Sequence, residues 1–379
     1  MYPPPSITPA EYRERQARAA AAVADSGADA LLVISGPFYD RPGDVLYLTG
    51  HQPPFPPLAY EGRFRGLGFT AAVLTRDASC HLIVDTTAYR HERISSDSLQ
   101  PTTDVPGALR RQLTDLGLGS ATLGVVGLDV APHRFIQEAT TGLGVTLVEA
   151  DATVRDLRRR KSAREIELLR HSVEVAEQGM AAALAAIEPG MTESEVAAVG
   201  IGTCIANGAD FVRYLRVMSG PFSGWQHRWP PATERVMQEG ETVCMDLIGA
   251  VNGYQFDILR ARVVGEGDPA MHARMDVARA ATEAGIAACG PGVPISEVVA
   301  AADRVIEDAG EGAHLAKFTG HGIGLETVEA PLVMHDAPGD LHVGDVICLE
   351  PGILHRDAYG ARFEYEVVIT DSGHEVLGR

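Results

Sequence analysis

Two stretches of this chain, about a hundred residues apart, resemble each other, and each carries two acids at matching places. The first reads Gly240-Glu241-Thr242-Val243-Cys244-Met245-Asp246, followed by Gly253-Tyr254-Gln255-Phe256-Asp257. The second reads Gly344-Asp345-Val346-Ile347-Cys348-Leu349-Glu350, followed by Gly360-Ala361-Arg362-Phe363-Glu364. Between them lies Gly320-His321-Gly322-Ile323-Gly324. Acids almost never occupy buried strands unless something neutralises them. Four carboxylates and one imidazole in apolar or glycine-rich settings are what a site for two hard or borderline metal ions needs.

The repeat continues beyond these words. Pro189-Gly190-Met191-Thr192-Glu193-Ser194-Glu195-Val196 matches Pro291-Gly292-Val293-Pro294-Ile295-Ser296-Glu297-Val298, and both open a helix after a Pro-Gly turn. Each half then reads helix, Pro-Gly turn, helix, strand pair with two acids. Internal two-fold pseudosymmetry would bring the strand pairs side by side and the four acids together near the axis. In the first half Asn252-Gly253, the strongest short hairpin signal, separates Asp246 from Asp257 and lets both share a face. In the second, Phe363-Glu364-Tyr365-Glu366-Val367 alternates, so Glu364 and Glu366 share a face; alignment of the two halves selects Glu364. Taken singly, each acid is an ordinary paired or surface carboxylate and His321 a loop or core histidine. The ordered set is what carries the metal reading.

The 379 residues allow two domains. Thr8-Pro9-Ala10-Glu11 opens a helix running to about Asp25. Short β-rich runs follow at Ala30–Ser35, Thr70–Thr75, His81–Asp85, Thr122–Leu128 and Val145–Val148, the pattern of a small α/β domain. The stretch Gly36–Gly68, rich in Pro, Gly and aromatics, reads as loop. A basic patch from Arg155 to Lys161 reads as a solvated linker, and Ser162-Ala163-Arg164-Glu165 is a capping box that starts a long amphipathic helix. The domains are therefore placed at 1–155 and 160–379. The net charge of −19 argues against nucleic acid or an anionic membrane as partner. The first residues lack the basic and apolar regions of a signal peptide, and no apolar run is long enough to span a bilayer. Five scattered cysteines form no Cys-x-x-Cys, so a reducing cytoplasm is the expected location.

The order Asp, Asp, Gly-His-Gly-Ile-Gly, Glu-Pro-Gly, Arg-x-Glu resembles the pita-bread (M24) metallopeptidases. These include methionine aminopeptidase, aminopeptidase P and prolidase, with creatinase as a relative that uses no metal. The resemblance covers about residue 160 to the end, and the preceding α/β domain is similar to that of the aminopeptidase P, prolidase and creatinase branch. It implies an α/β two-domain chain: a small creatinase/prolidase-like domain, then a pita-bread α+β catalytic domain. It implies that Asp257 and Glu364 bridge two divalent ions, that Asp246 completes one, and that His321 and Glu350 complete the other. Manganese is the expected metal for so oxygen-rich a ligand set, and cobalt, iron or zinc are the alternatives. A bridging hydroxide would be the nucleophile, with Glu350 shuttling its proton. A homodimer is the family expectation.

The resemblance also assigns residues outside the ligand set. His227, after Ser219-Gly220, matches a catalytic histidine, and Arg362 matches the branch's arginine. From the sequence itself, Trp225 and Trp229 beside His227 are expected to wall a pocket. Two further family histidines are replaced: Lys317 stands four residues before His321, and Val328 seven after it. Lys317, Val328 and Trp225 are thus the candidate substrate contacts. The first expectation is an Xaa-Pro aminopeptidase or dipeptidase acting on a small peptide. The alternative, motivated by Lys317 and Val328, is a metal-dependent hydrolase or lyase of a small amide-like, non-peptide substrate, in the manner of creatinase or ectoine hydrolase. A non-catalytic binding protein ranks last, because all five candidate ligands are kept.

Overall fold

The structure is a computed structural model and describes residues 6–37, 41–53, 62–85 and 89–378. It comprises two compact units, Ile7–Arg158 and the unit built on Arg159–Arg379.

The first unit holds α1 (Pro9–Ser26), β1 (Ala30–Ser35), α2 (Gly43–Thr49), β2 (Thr70–Thr75), β3 (Cys80–Val84), β4 (Ser98–Pro101), α3 (Val105–Asp115), β5 (Thr122–Val126), α4 (His133–Thr140), β6 (Thr146–Glu149) and α5 (Asp151–Arg159). Its six strands form one sheet in the order β4-β3-β2-β1-β5-β6. The Thr8 side chain accepts from the Glu11 amide and Gly27 closes α1 with φ 81°, as the cap residues predict. Three elements depart from the sequence reading. The basic patch read as a solvated linker lies largely in α5, and its Arg158 is buried and paired with Asp44. Within Gly36–Gly68 lies α2, seven residues long and buried along its length, too short to show a period; residues 38–40 and 54–61 of that stretch lie outside the described residues. Strand β4 (Ser-Leu-Gln-Pro) is polar and partly exposed at the sheet edge, so it lacks an apolar signature.

The second unit continues with α6 (Ala163–Ala185), α7 (Glu193–Ala206), β7 (Phe211–Ser219), β8 (Thr242–Val251), β9 (Tyr254–Val263), α8 (Pro269–Ala288), α9 (Ile295–Asp308), β10 (Gly320–Gly322), β11 (Glu329–Val333), β12 (Val346–Leu349), β13 (Gly352–His355), β14 (Tyr359–Arg362), β15 (Tyr365–Thr370) and β16 (Gly373–Val376). Both α6 and α7 open on complete capping boxes, Ser162 with Glu165 and Thr192 with Glu195. Where α6 and α7 meet, Gly179 and Gly200 face each other: a Cβ on Gly179 would stand 2.2 Å from Cys204 Sγ and 3.0 Å from the Gly200 oxygen. Only glycine allows that approach.

The two halves repeat a helix pair followed by strands. In the first, α6 and α7 pack apolar residues such as Met180, Val196 and Cys204 against Leu215, Met245 and Phe256 of the sheet β7-β8-β9. In the second, Ile286, Val298 and Val299 of α8 and α9 pack on Ile347, Leu349 and Val367 of the sheet β11-β10-β12-β15-β16. The halves join edge to edge through the backbone: Glu364 N–H donates to the Leu259 oxygen at 2.9 Å.

Candidate metal centre

Each acid pair is placed by strand register. At the β8–β9 turn Asn252 has φ 53° and Gly253 φ 81°, the left-handed pair that a two-residue hairpin requires. The resulting register sets Ile248 opposite Asp257 and Asp246 opposite Leu259. Asp246 and Asp257 are therefore diagonal neighbours on one face. In the second half β12 pairs with β15, Leu349 opposite Tyr365, so Glu350 and Glu364 sit one step beyond the paired ends. The β13–β14 hairpin is inserted between them. The link from Glu364 to Leu259 then sets Glu364 beside Asp257. His321 lies opposite Cys348 on β10, and its ring reaches the same point.

Carboxylate oxygens of Asp246, Asp257 and Glu364 all lie within 4.8 Å of one another. His321 Nε2 is 3.6 Å from Asp257 Oδ2, 3.9 Å from Glu350 Oε1 and 3.9 Å from Glu364 Oε1. All five side chains are buried, Glu364 to 1% exposure. His321 Nδ1 is 3.0 Å from the Gly322 carbonyl, which can only accept, so Nδ1 is the donor there and Nε2 is turned toward the acids. The Phe318 ring stacks on His321 at 5.8 Å between centroids.

Burial, then the neighbouring carboxylates Glu364 and Asp246, push Asp257 well above the usual carboxylate range. Glu364 is raised well above it too, by burial and then by Glu350 and Asp246. Glu350 is raised by burial and partly held back by Arg362, whose Nη1 donates to Glu350 Oε2 at 2.9 Å, and by His321. Glu364 Oε1 has no hydrogen-bond partner in the structure. Converging acids, an orphaned oxygen and an imidazole with Nε2 turned toward them fit divalent cations as counter-charge. Cys348 also lies close, but burial and the surrounding acids push its thiol well above the ordinary range, so it stays protonated.

Raised carboxylate pKa values imply a pH dependence. These groups favour the neutral form in the folded state, so their cost is absent below the unfolded pKa and grows as pH rises toward the folded one. The metal-free protein should lose stability as pH rises above the ordinary carboxylate range, while bound cations remove that cost. The gap in Tm between manganese-loaded and chelated protein should therefore widen with pH; a gap that stays flat contradicts this account of the site.

The five candidate ligands line a cavity of about 380 Å³, together with His227, Arg362 and Val328. His227 stands at the mouth, where partial desolvation and then Arg216 and Arg362 hold it below its usual pKa. Val328 is 55% exposed there. Two expected substrate contacts lie elsewhere. Lys317 is exposed and does not line the cavity; its neighbour Phe318 does. Trp225 is held away by its Nε1 bond to Asp357 Oδ1 at 3.0 Å and by the Phe222 and Arg356 side chains, and Trp229 is also outside the lining. Only Glu364 of the Glu364/Glu366 pair lines the cavity. Glu366 is buried behind it, accepts from the Asp257 amide at 3.1 Å, and is pushed up to about 8 by burial.

Residues that the sequence reading passed over include Arg216, whose Nη1 donates to Asp246 Oδ2 at 2.5 Å, and Tyr214 and Ile248 on the cavity wall. Arg216 carried a signal: a charge between Leu215 and Val217 in an apolar strand is as anomalous as Asp246. Glu193 is a second. Fully buried at the start of α7, it accepts from Ser219 N (3.0 Å), Ser219 Oγ (2.8 Å), Thr233 N (3.2 Å), Thr233 Oγ1 (2.7 Å) and Arg228. One carboxylate thereby ties both ends of the segment that carries His227.

Two family models between them match most of the chain. The family model described as Metallopeptidase family M24 matches residues 167–371, and that of the Creatinase/Prolidase N-terminal domain matches residues 15–160. A probable dipeptidase PepE of Mycobacterium tuberculosis is 30% identical over 363 residues, covering 96% of this chain and 93% of the relative. The Xaa-Pro dipeptidase of Pyrococcus furiosus is 32% identical over 228 residues, covering 60% and 65%. Among solved structures, the prolidase of Pyrococcus horikoshii superposes with TM-score 0.81 at 25% identity, covering 97% of this chain and 98% of that one. Dipeptidase PepE of Mycobacterium ulcerans gives 0.80 at 28%, covering 99% and 97%. With its M24 match spanning more than half its length behind a creatinase/prolidase-type first domain, the chain belongs to metallopeptidase family M24 and is a hydrolase of that type.

Proposed function

We propose that this protein is an Xaa-Pro dipeptidase working with two divalent metal ions held by Asp246, Asp257, His321, Glu350 and Glu364. The observation that carries the reading is the convergence of these five buried side chains on one cavity. The similarity to proteins named Xaa-Pro dipeptidase and prolidase supports the choice of substrate. When bound, the ions would supply Lewis acidity and a water activated at neutral pH.

The chain's own residues then divide the work. Asp246, Asp257, His321, Glu350 and Glu364 would hold the ions, with Asp257 and Glu364 at the centre of the set. Glu350 would take a proton from the attacking water and deliver it to the leaving amine. Arg362 holds the Glu350 carboxylate by its 2.9 Å bond and keeps it oriented. His227, favoured in its neutral form, offers a hydrogen bond to the substrate at the mouth. Manganese is the first metal to test, because the ligand set is rich in oxygen. A homodimer in a reducing cytoplasm completes the reading; five buried, unpaired cysteines are consistent with such a compartment. Among the described residues no helix is long and apolar enough to cross a membrane.

The test is turnover of an Xaa-Pro dipeptide panel with added manganese, alongside metal analysis by mass spectrometry. Hydrolysis before proline with about two ions per chain is expected. Failure on every member, with turnover of a small cyclic amide or amidine, would favour the second reading, which rests on Val328 presenting an apolar surface at the mouth.

A further inference from the structure

The cavity wall carries three arginines beside its four acids. Two arginines come from strand β7. Its register against β8 shifts between Val212 and Tyr214, leaving Arg213 as the extra residue of a bulge. A bulge re-aims a side chain that regular pleating would send to the other face. Here it brings Arg213 onto the same cavity as Tyr214 and Arg216. Arg216 is only 8% exposed, its guanidinium lies 4.6 Å from the Tyr214 ring centroid, and its Nε has no hydrogen-bond partner in the structure.

Charge counting shows what such a wall is short of. Asp246, Asp257, Glu350 and Glu364 bring four negative charges, and Arg213, Arg216 and Arg362 bring three positive ones. Two divalent ions would balance the four acids by themselves. Arg362 is engaged by Glu350, but Arg216 faces an Asp246 whose charge is then shared with metal. With the acids engaged by metal, β7 would present guanidinium groups to an anion entering the cavity.

We propose that Arg216 and Arg213 form an anion subsite that takes the side-chain carboxylate of the substrate residue Xaa, making the enzyme selective for Glu-Pro and Asp-Pro. This rests on the Xaa-Pro reading above. Proline carries no charge, so Xaa is the one side chain of such a dipeptide that can meet a guanidinium pair. Planar guanidinium groups suit a carboxylate in a way that the isosteric amide does not reproduce.

The experiment compares kcat/KM on Glu-Pro and Gln-Pro, with Ala-Pro and Ala-Pro amide as controls, for wild type, Arg213→Gln and Arg216→Lys. Arg213 is exposed, so its replacement removes a charge without disturbing the core. Wild type should prefer Glu-Pro over Gln-Pro by about ten- to a hundredfold. That ratio should fall to within about threefold of unity in Arg213→Gln and shrink as salt is raised. Equal rates on the two wild-type substrates, or a ratio that survives both substitutions, overturns the proposal. So does a loss confined to the Ala-Pro over Ala-Pro amide ratio, which would mean that the pair reads the terminal carboxylate. Calorimetric binding of reduced-bond Glu-Pro and Gln-Pro analogues, to loaded and chelated protein, separates the two readings. Tighter binding of the Glu analogue that Arg213→Gln erases supports the subsite even if no Xaa-Pro bond is cut. Equal binding of the two analogues sinks the subsite even if Xaa-Pro bonds are cut.

Discussion

Replacing Asp257 with Asn should lower kcat/KM by about a thousandfold or more, since a lost central ligand forfeits several kcal/mol of charge stabilisation. Metal content should fall in the same preparation. A second effect runs in the opposite direction. Asp257 is raised well above its usual pKa by burial and then by Glu364 and Asp246, so in the metal-free state it is a cost. The metal-free Asp257→Asn protein should therefore melt about 2–4 °C higher than metal-free wild type, the shift expected of ~1 kcal/mol in a domain of this size. With manganese the order should reverse, because wild type gains from binding and the variant does not. A variant that is inactive but less stable in both states would mean that Asp257 is structural and the acids are not repelling one another.

Glu193→Ala should be strongly destabilising although it lies outside the acid cluster. It strands Arg228, whose side chain is 10% exposed, and removes the acceptor for two amides and two hydroxyls. Breaking a buried pair by deleting one partner costs about 3–5 kcal/mol. For a domain of about 200 residues this lowers Tm by roughly 6–20 °C. None of the five candidate ligands lies on the tied segment, so metal content should be unchanged in whatever protein folds. Activity should fall chiefly through KM, because His227 loses its anchorage while the acids keep theirs; Glu193→Gln, which retains an acceptor, should recover part of both losses. Loss of metal in step with stability would show that Glu193 supports the whole domain and not the His227 segment.

The acids were legible because they violate a rule. Asp246 in Val-Cys-Met-Asp-Leu-Ile and Glu350 after Val-Ile-Cys-Leu cannot be buried without a compensating charge, and the repeat fixed which of Glu364 and Glu366 to choose. Register followed from Asn252-Gly253, whose positive φ angles were implicit in the residue types. The walls of the cavity were less legible. Lys317 and Trp225 were assigned by position along the chain, and a one-residue step in a loop exchanges Lys317 for Phe318. Arg213 reaches the cavity through a bulge that alternation does not foresee. Helix α2 escaped because seven residues buried on every side leave no polar face to set a period. Glu193 appeared only as part of a helix start, and its five partners come from positions 26 to 40 residues further on.

The backbone bond from Glu364 to Leu259 also bears on how the protein is made. Asp246 and Asp257 leave the ribosome about a hundred residues before Glu350 and Glu364. Until β15 docks beside β9, the nascent chain holds only half a cage and has no high-charge trap with which to seize a cation. Metal selection is thereby deferred to the finished domain, whose geometry and not the order of emergence decides which ion is kept.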